Sequence, residues 1–290
     1  MKLPATRLID TAAGRIAYRR GGEGPPLLLI HGWGGSSRYW LGAFVLLTAS
    51  HDVIALDLPG FGDSPPPVAP TDLATMTSAC LALCDALGFS RVAVAGHSLG
   101  ASLALLMAAH RPQLVSRVAM ASFGLPRSAA EAALMGIVHL QLSASAALWA
   151  PWLAVWAPWV AASRPLRTAA WTMPPLPVLL AAPMVRQLPS LPYGALALGA
   201  ADLASMDARA GLEAASTTGD PAVLAAARLV TSPALVISGR EDPIFPPGAA
   251  RALADALPDA GLVLLDECGH VPMAERPAPF YATLGAFVAP

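Results

Sequence analysis

Two hydrophobic rhythms alternate along most of the chain. Runs in which nearly every residue is apolar, PLLLIHG (26–32), DVIALDLPGFG (52–62), RVAVAGHSLG (91–100) and SRVAMASFG (116–124), each stop at glycine or proline. Strands buried on both faces read this way, and they predict a mostly parallel sheet with helices on either side. GRIAYRR (14–20) reads as an edge strand. The intervening segments carry apolar residues at helical spacing. TDLATMTSACLALCDALG (71–88) opens with a capping threonine and ends at glycine, and ASLALLMAAHRP runs as a helix to a proline stop. After about residue 232 the alternation resumes: strand SPALVISGRED, helix PGAARALADALPDAG, strand LVLLDECGH and a closing helix PAPFYATLGAFVA.

Between about 125 and 212 the alternation stops. This stretch is rich in Ala, Trp and Pro and reads as short helices without a strand. The expected organisation is an α/β core formed by 1–124 and 213–290, interrupted by a helical lid at 125–212. Within the lid, ALWAPWLAVWAPWV (147–160) holds four of the seven tryptophans and no charge. Pro151 suits the first turn of a helix, whereas a proline at 158 would cost about 3 kcal/mol in a helix interior. The expectation is a short helix from about 151, broken or kinked near 158.

Composition narrows the function classes. Hydrophobic residues make up 55% of the 290 and charged residues 13%, with a net charge of −1. That balance gives no electrostatic footprint for nucleic acid or anionic lipid. The three cysteines lack metal-ligand spacing and read as small buried residues. The N-terminus, MKLPATRLIDTAAGR, has a proline and charges where a signal peptide needs an apolar run, so a cytoplasmic protein is the expectation.

The chemistry is concentrated at a few turns. Gly96-His97-Ser98-Leu99-Gly100 fits G-x-S-x-G and lies between an apolar strand and a helix, where a strained turn exposes the serine hydroxyl. A serine needs a base to become a nucleophile. Among the six histidines, His270 sits in the loop after the last strand, which reaches the sheet edge that carries Ser98. His51 and His110 read as solvated or structural, and His97 as pointing away from its neighbour. His139 reads as a lid residue that either lines a pocket or is satisfied structurally. The base needs a carboxylate to fix its tautomer; Asp242 follows a strand on the same edge, with Asp266 as second choice. Glu241 reads as solvated or paired with Arg240. In His31-Gly32-Trp33-Gly34-Gly35 the glycines let backbone amides approach a ligand, so the Trp33 and Leu99 N–H groups are the expected oxyanion donors. Nothing here calls for a metal or cofactor.

HGWGG, LDLPGFGDS, GHSLGA, GREDPI and GHVPMAERP, in this order, resemble the α/β-hydrolase fold superfamily. HGWG and LDLPGFG are similar to small carboxylesterases and pimeloyl-ACP methyl ester esterases, although the latter usually carry GWSLGG where this chain has GHSLGA. The resemblance implies an eight-stranded, mostly parallel sheet with a lid after strand six. It also implies a Ser98, Asp242, His270 triad and an oxyanion hole at Trp33 and Leu99. Serine at 98 sets the chain apart from relatives with aspartate at that turn, which include epoxide hydrolases. Hydrolysis of an ester with an apolar acyl group is the expected reaction. The alternatives are C–C hydrolysis of a β-diketone, a lipid-interface lipase and a non-catalytic small-molecule-binding relative. A transmembrane crossing within the lid would separate Ser98 from His270, so no span is expected. Trp149, Trp152, Trp156 and Trp159 share one helical face. That face packs the lid onto the core, walls the acyl site through Trp152 or Trp156, or touches a lipid surface.

Overall fold

The computed structural model describes residues 3–289. Eight strands form one sheet: β1 (Arg7–Thr11), β2 (Gly14–Gly21), β3 (Pro26–Ile30), β4 (Asp52–Leu56), β5 (Val92–His97), β6 (Val115–Ala121), β7 (Ala234–Gly239) and β8 (Ala260–Leu265). Their order is β1-β2-β4-β3-β5-β6-β7-β8. The β1–β2 and β2–β4 pairs are antiparallel and the others are parallel. Strand β1 was not legible from its alternation, and it displaces Gly14–Gly21 from the edge. The mixed pattern of RLIDT, mostly exposed, is what one half-covered edge strand requires.

The continuous apolar runs are explained by their two burial faces. In β3, Leu28 and Ile30 enter one core while Leu27 and Leu29 enter the other. Helices α1 (Leu41–Leu46), α2 (Leu73–Ala86) and α3 (Leu99–His110) follow the first strands. Residues of α2 and α3 fill the first core, and residues of α1 fill the second.

Six helices follow β6 before β7 begins: α4 (Ala129–Ala162), α5 (Arg164–Trp171), α6 (Leu176–Ala181), α7 (Tyr193–Ser205), α8 (Ala208–Ala215) and α9 (Pro221–Ala227). Position 212 lies inside α8, and α9 places Val223, Ala226 and Ala227 in the first core. Helices α10 (Pro247–Ala256), α11 (Pro272–Glu275) and α12 (Pro277–Val288) complete the chain.

Helix α4 corrects the expectation of a short, broken helix. It runs 34 residues without interruption, with Pro151 and Pro158 inside it. Each proline frees the carbonyl four residues earlier, at Ala147 and Ala154. Both of those residues are exposed, so water can satisfy the freed groups. The less exposed positions recur alternately four and three residues apart. Ala132, His139, Ala146, Leu153 and Val160 lie seven apart along this stripe, and Ala146 is the only fully buried residue of the helix. His139 Nδ1 and Ser143 Oγ both meet the Ser216 carbonyl just beyond α8, at 3.0 and 3.4 Å. The inner stripe is therefore mostly small residues, while the large apolar ones point away from the protein. By length and composition alone α4 could cross a membrane.

Two of the polar ties between the lid and the core involve the segment that follows β3. Asp202 of α7, only 1% exposed, accepts from Ser36 Oγ at 2.9 Å and pairs with Arg38. Burial pushes its carboxyl up to about 6, against the opposing pull of Arg38 and Ser36. The Trp33 indole donates to the Gly211 carbonyl at 2.8 Å.

These observations set two expectations. Ala146→Leu overfills the inner stripe and should cost about 1–3 kcal/mol in chemical denaturation, whereas Val155→Ala, 68% exposed, should change stability by less than about 0.5 kcal/mol. Asp202 titrates higher folded than unfolded, so its contribution is fully present below its ordinary value of 3.8 and is lost as pH rises through about 6. Asp202→Asn should remove that segment of the stability–pH curve, as read by melting temperature across the window.

Candidate active site

The site begins with a backbone that only small residues permit. Between β5 and α3 the chain turns at Ser98 with φ of 52° and ψ of −117°, a region costly for residues other than glycine. A Cβ at Gly96 would lie 2.0 Å from the Gly100 carbonyl oxygen, and one at Gly100 would lie 2.3 Å from that of Ile30. Both glycines of the motif are therefore required by the close crossing of β5, α3 and β3. The Ser98 amide donates to Ala121 O at 2.9 Å, which anchors the turn to β6.

The serine hydroxyl projects toward His270. Ser98 Oγ lies 3.2 Å from His270 Nε2, and His270 Nδ1 lies 3.0 Å from Asp242 Oδ2 and 3.1 Å from Oδ1. His270 and Asp242 are 5% and 3% exposed. Asp242 Oδ1 also accepts the Ile244 and Phe245 amides at 2.8 and 3.0 Å. Burial alone would raise the Asp242 carboxyl; the hydrogen bonds and charge of His270, with the two amides, outweigh it and hold it below the usual range. An ionised Asp242 accepts a hydrogen bond from the Nδ1–H, which fixes the tautomer and leaves Nε2 facing the serine with its lone pair. Phe245 stacks on the His270 ring, centroids 6.1 Å apart at 24°.

The HGWGG loop passes beside the serine. A Cβ on Gly32 would come within 3.3 Å of Ser98 Cβ, so the backbone entering Trp33 lies against the hydroxyl-bearing carbon. Leu99 is the first residue of α3, and its N–H has no intrahelical partner. His31 holds this loop: its Nδ1 lies 2.7 Å from Gly32 O and its Nε2 accepts the Leu58 amide at 3.0 Å. Complete burial lowers its pKa and keeps the ring neutral in that role.

The structure overturns some of the expectations here and chooses between the alternatives of others. Asp266 pairs with Arg240 on the surface, so it is not near His270 as an acid partner. Glu241 is exposed, in line with the solvated alternative, and it accepts the Cys268 amide at 2.9 Å while Arg240 pairs with Asp266. Trp152 and Trp156 are 63% and 57% exposed, on the outer side of α4, and do not wall a closed acyl pocket. The small inner stripe gives α4 its packing face, so the tryptophans turn outward. His139 is occupied by the Ser216 carbonyl. His51 is buried, with Nε2 3.2 Å from Val288 O. Cys268 is buried, and desolvation pushes its thiol up to about 12, which leaves it an inert thiol beside His270.

Sequence reasoning missed Glu275. Its carboxylate accepts the Gly269 and Val271 amides at 3.1 Å, on either side of His270, and the Arg186 and Gln187 amides at 2.7 and 3.0 Å, from the lid. The His270 amide itself donates to Met184 O at 2.8 Å. The available signal was a glutamate two residues before the proline that opens the closing helix, which also fits an exposed side chain.

Comparison with known proteins places this geometry in a family. The model for the α/β hydrolase fold matches residues 25–277. An uncharacterised protein of Mycobacterium tuberculosis is 40% identical over 122 residues, which is 42% of this chain and 36% of that protein. The chain thus spans only about a third of that relative's length. The protein named "Putative carbamate hydrolase RutD" of Pseudomonas savastanoi pv. phaseolicola is 31% identical over 270 residues, covering 92% of this chain and 94% of that one. Among solved structures, a bacterial membrane phospholipase A superposes with a TM-score of 0.72 at 26% identity, covering 98% of this chain and 85% of that chain. With its eight-stranded sheet, helical insertion after β6 and family match across most of its length, the chain belongs to the α/β hydrolase fold family.

Proposed function

We propose that the protein is a serine hydrolase that cleaves carboxylic esters of apolar acyl groups through an acyl-enzyme. The observation that carries this reading is the unbroken polar chain from Ser98 Oγ through His270 to Asp242, raised on a tight turn that leaves no room for a side chain at Gly96 or Gly100. His270 Nε2 takes the hydroxyl proton as Ser98 Oγ bonds to the substrate carbonyl carbon. The Trp33 and Leu99 amides receive the oxyanion. The carbonyl reforms, the C–O bond to the alcohol breaks, and His270 returns its proton to the leaving oxygen. Water then repeats the sequence on the acyl-Ser98 ester and releases the acid. Asp242, ionised and fixed by two amides, holds the imidazolium of each step.

Apolar acyl groups are favoured by a lid with no aspartate or glutamate from Ala132 to Ala201. The name of the full-length relative, a carbamate hydrolase, supports testing carbamates beside esters, since the same attack on a carbonyl carbon serves both. The membrane phospholipase A likeness supports including long-chain acyl esters.

The decisive measurement is initial rate on p-nitrophenyl esters of increasing chain length. Ser98→Ala should reduce kcat by several orders of magnitude on the best ester, and should abolish labelling by a fluorophosphonate probe. Retention of near-parental esterase activity would sink the assignment. Asp242→Asn leaves the shape of the site but favours the wrong His270 tautomer, and should lower kcat roughly 10⁴-fold with little change in KM.

A further inference from the structure

Helix α4 inverts the usual logic of a surface helix, with small residues inward and large apolar residues outward. Trp149, Trp152, Trp156 and Trp159 are 57%, 63%, 57% and 71% exposed. They come from two copies of Trp-Ala-Pro-Trp seven residues apart, at 149–152 and 156–159, so both copies fall on one side of the helix. Leu148 and Val155, 64% and 68% exposed, extend the same surface. Contiguous apolar area of this kind marks an interaction site.

The charges around it identify the occupant. From Ala132 to Ala201 the sequence has three arginines, Arg164, Arg167 and Arg186, and no acidic residue, although the whole chain carries −1. Among the described residues, none of the three is in a salt bridge. Arg164, exposed, lies just past the end of the tryptophan face and donates to Gly62 O at 2.9 Å, while Arg167 turns inward, donating to Val160 O at 3.0 Å beside a cavity of about 390 Å³ that Asp63 and Asp207 also line. We propose that the outer face of α4, with the exposed Arg164 at its end, docks on an anionic lipid bilayer.

Indole rings suit the boundary between headgroups and acyl chains, and arginines beside them suit lipid phosphates. A second copy of the chain would present the same acid-free surface and supply no counter-charge. The helix lies on the bilayer and does not cross it. Its inner stripe is committed to the segment around Ser216, and the strands that flank the lid, β6 and β7, are hydrogen-bonded neighbours in one sheet. The docking surface is separate from the chemistry proposed for Ser98, and the two stand or fall independently.

The test uses full-length Ser98→Ala protein, which removes turnover, with vesicles of phosphatidylcholine alone or mixed with phosphatidylglycerol. Co-sedimentation should favour the anionic vesicles, weaken as salt is raised, and be accompanied by a blue shift of tryptophan emission. Adding Arg164→Gln should weaken binding about fivefold. Replacing Trp152, Trp156 and Trp159 by Gln should weaken it by at least about tenfold and remove most of the blue shift. If that triple variant unfolds, Val155→Asp on the same face should give the same loss of binding. The proposal is overturned by no binding to anionic vesicles, by binding that these substitutions leave unchanged, or by a dimer in analytical ultracentrifugation that the tryptophan substitutions dissociate.

Discussion

The close crossing of β3, β5 and α3 around Ser98 is the constraint from which the site follows. With φ at 52°, the serine backbone is held where an L-residue pays strain, and it stays there because neighbours on three sides leave no alternative. The sheet supplies those neighbours: β3 and β6 flank β5, and the Ser98 amide is bonded to the end of β6. The parallel strands β3, β5, β6, β7 and β8 end on one edge, so the HGWGG loop, the serine turn, the Asp242 turn and the His270 loop meet there without any long excursion.

The lid is part of the same assembly. Glu275 gathers amides from both the His270 loop and the lid segment at Arg186 and Gln187, and Met184 O takes the His270 amide. Asp202 binds α7 to the Ser36–Arg38 segment, and Trp33 binds the loop beside Ser98 to α8. Every one of these ties ends on a residue that is close in sequence to a group proposed to act in the reaction. Displacing the lid would therefore disturb the base and the oxyanion loop together, so α7, α8 and the 184–187 segment belong to the rigid scaffold of the site. The outer side of α4 carries no such ties, which leaves it free for a partner.

The fold and the polar chain were legible because each rests on local grammar. Strand runs closed by glycine, G-x-S-x-G at a strand–helix junction, and the chain order of Ser98, Asp242 and His270 need no knowledge of distant contacts. The lid was less legible for a physical reason. Its helix is apolar on every side, so periodicity could not tell which face packs, and the large tryptophans looked like the buried ones. The stripe of small residues that packs instead is invisible to a hydrophobicity count. Pro158 also misled, because the cost of an interior proline falls when the carbonyl it frees is open to water. Glu275 and Asp202 were illegible because what they tie together, the His270 loop to residues 186–187 and α7 to Ser36 and Arg38, is far apart in sequence.

His97 shows how a residue outside the reaction chain still shapes it. Its ring lies 5.0 Å from that of His270, and its Nε2 donates to the His270 carbonyl at 2.7 Å. The backbone of the base is thus held by an imidazole that must not carry charge: a cation at that distance would oppose the imidazolium formed on His270 in each proposed step. Burial, reinforced by repulsion from His270, lowers His97 to about 3 and leaves its Nδ1 without a donor. A lysine or arginine at 97 would supply the hydrogen bond but with a permanent charge, and an apolar residue would supply none. A buried neutral histidine provides the donor without the charge, which gives position 97 a physical role that the motif's free "x" conceals.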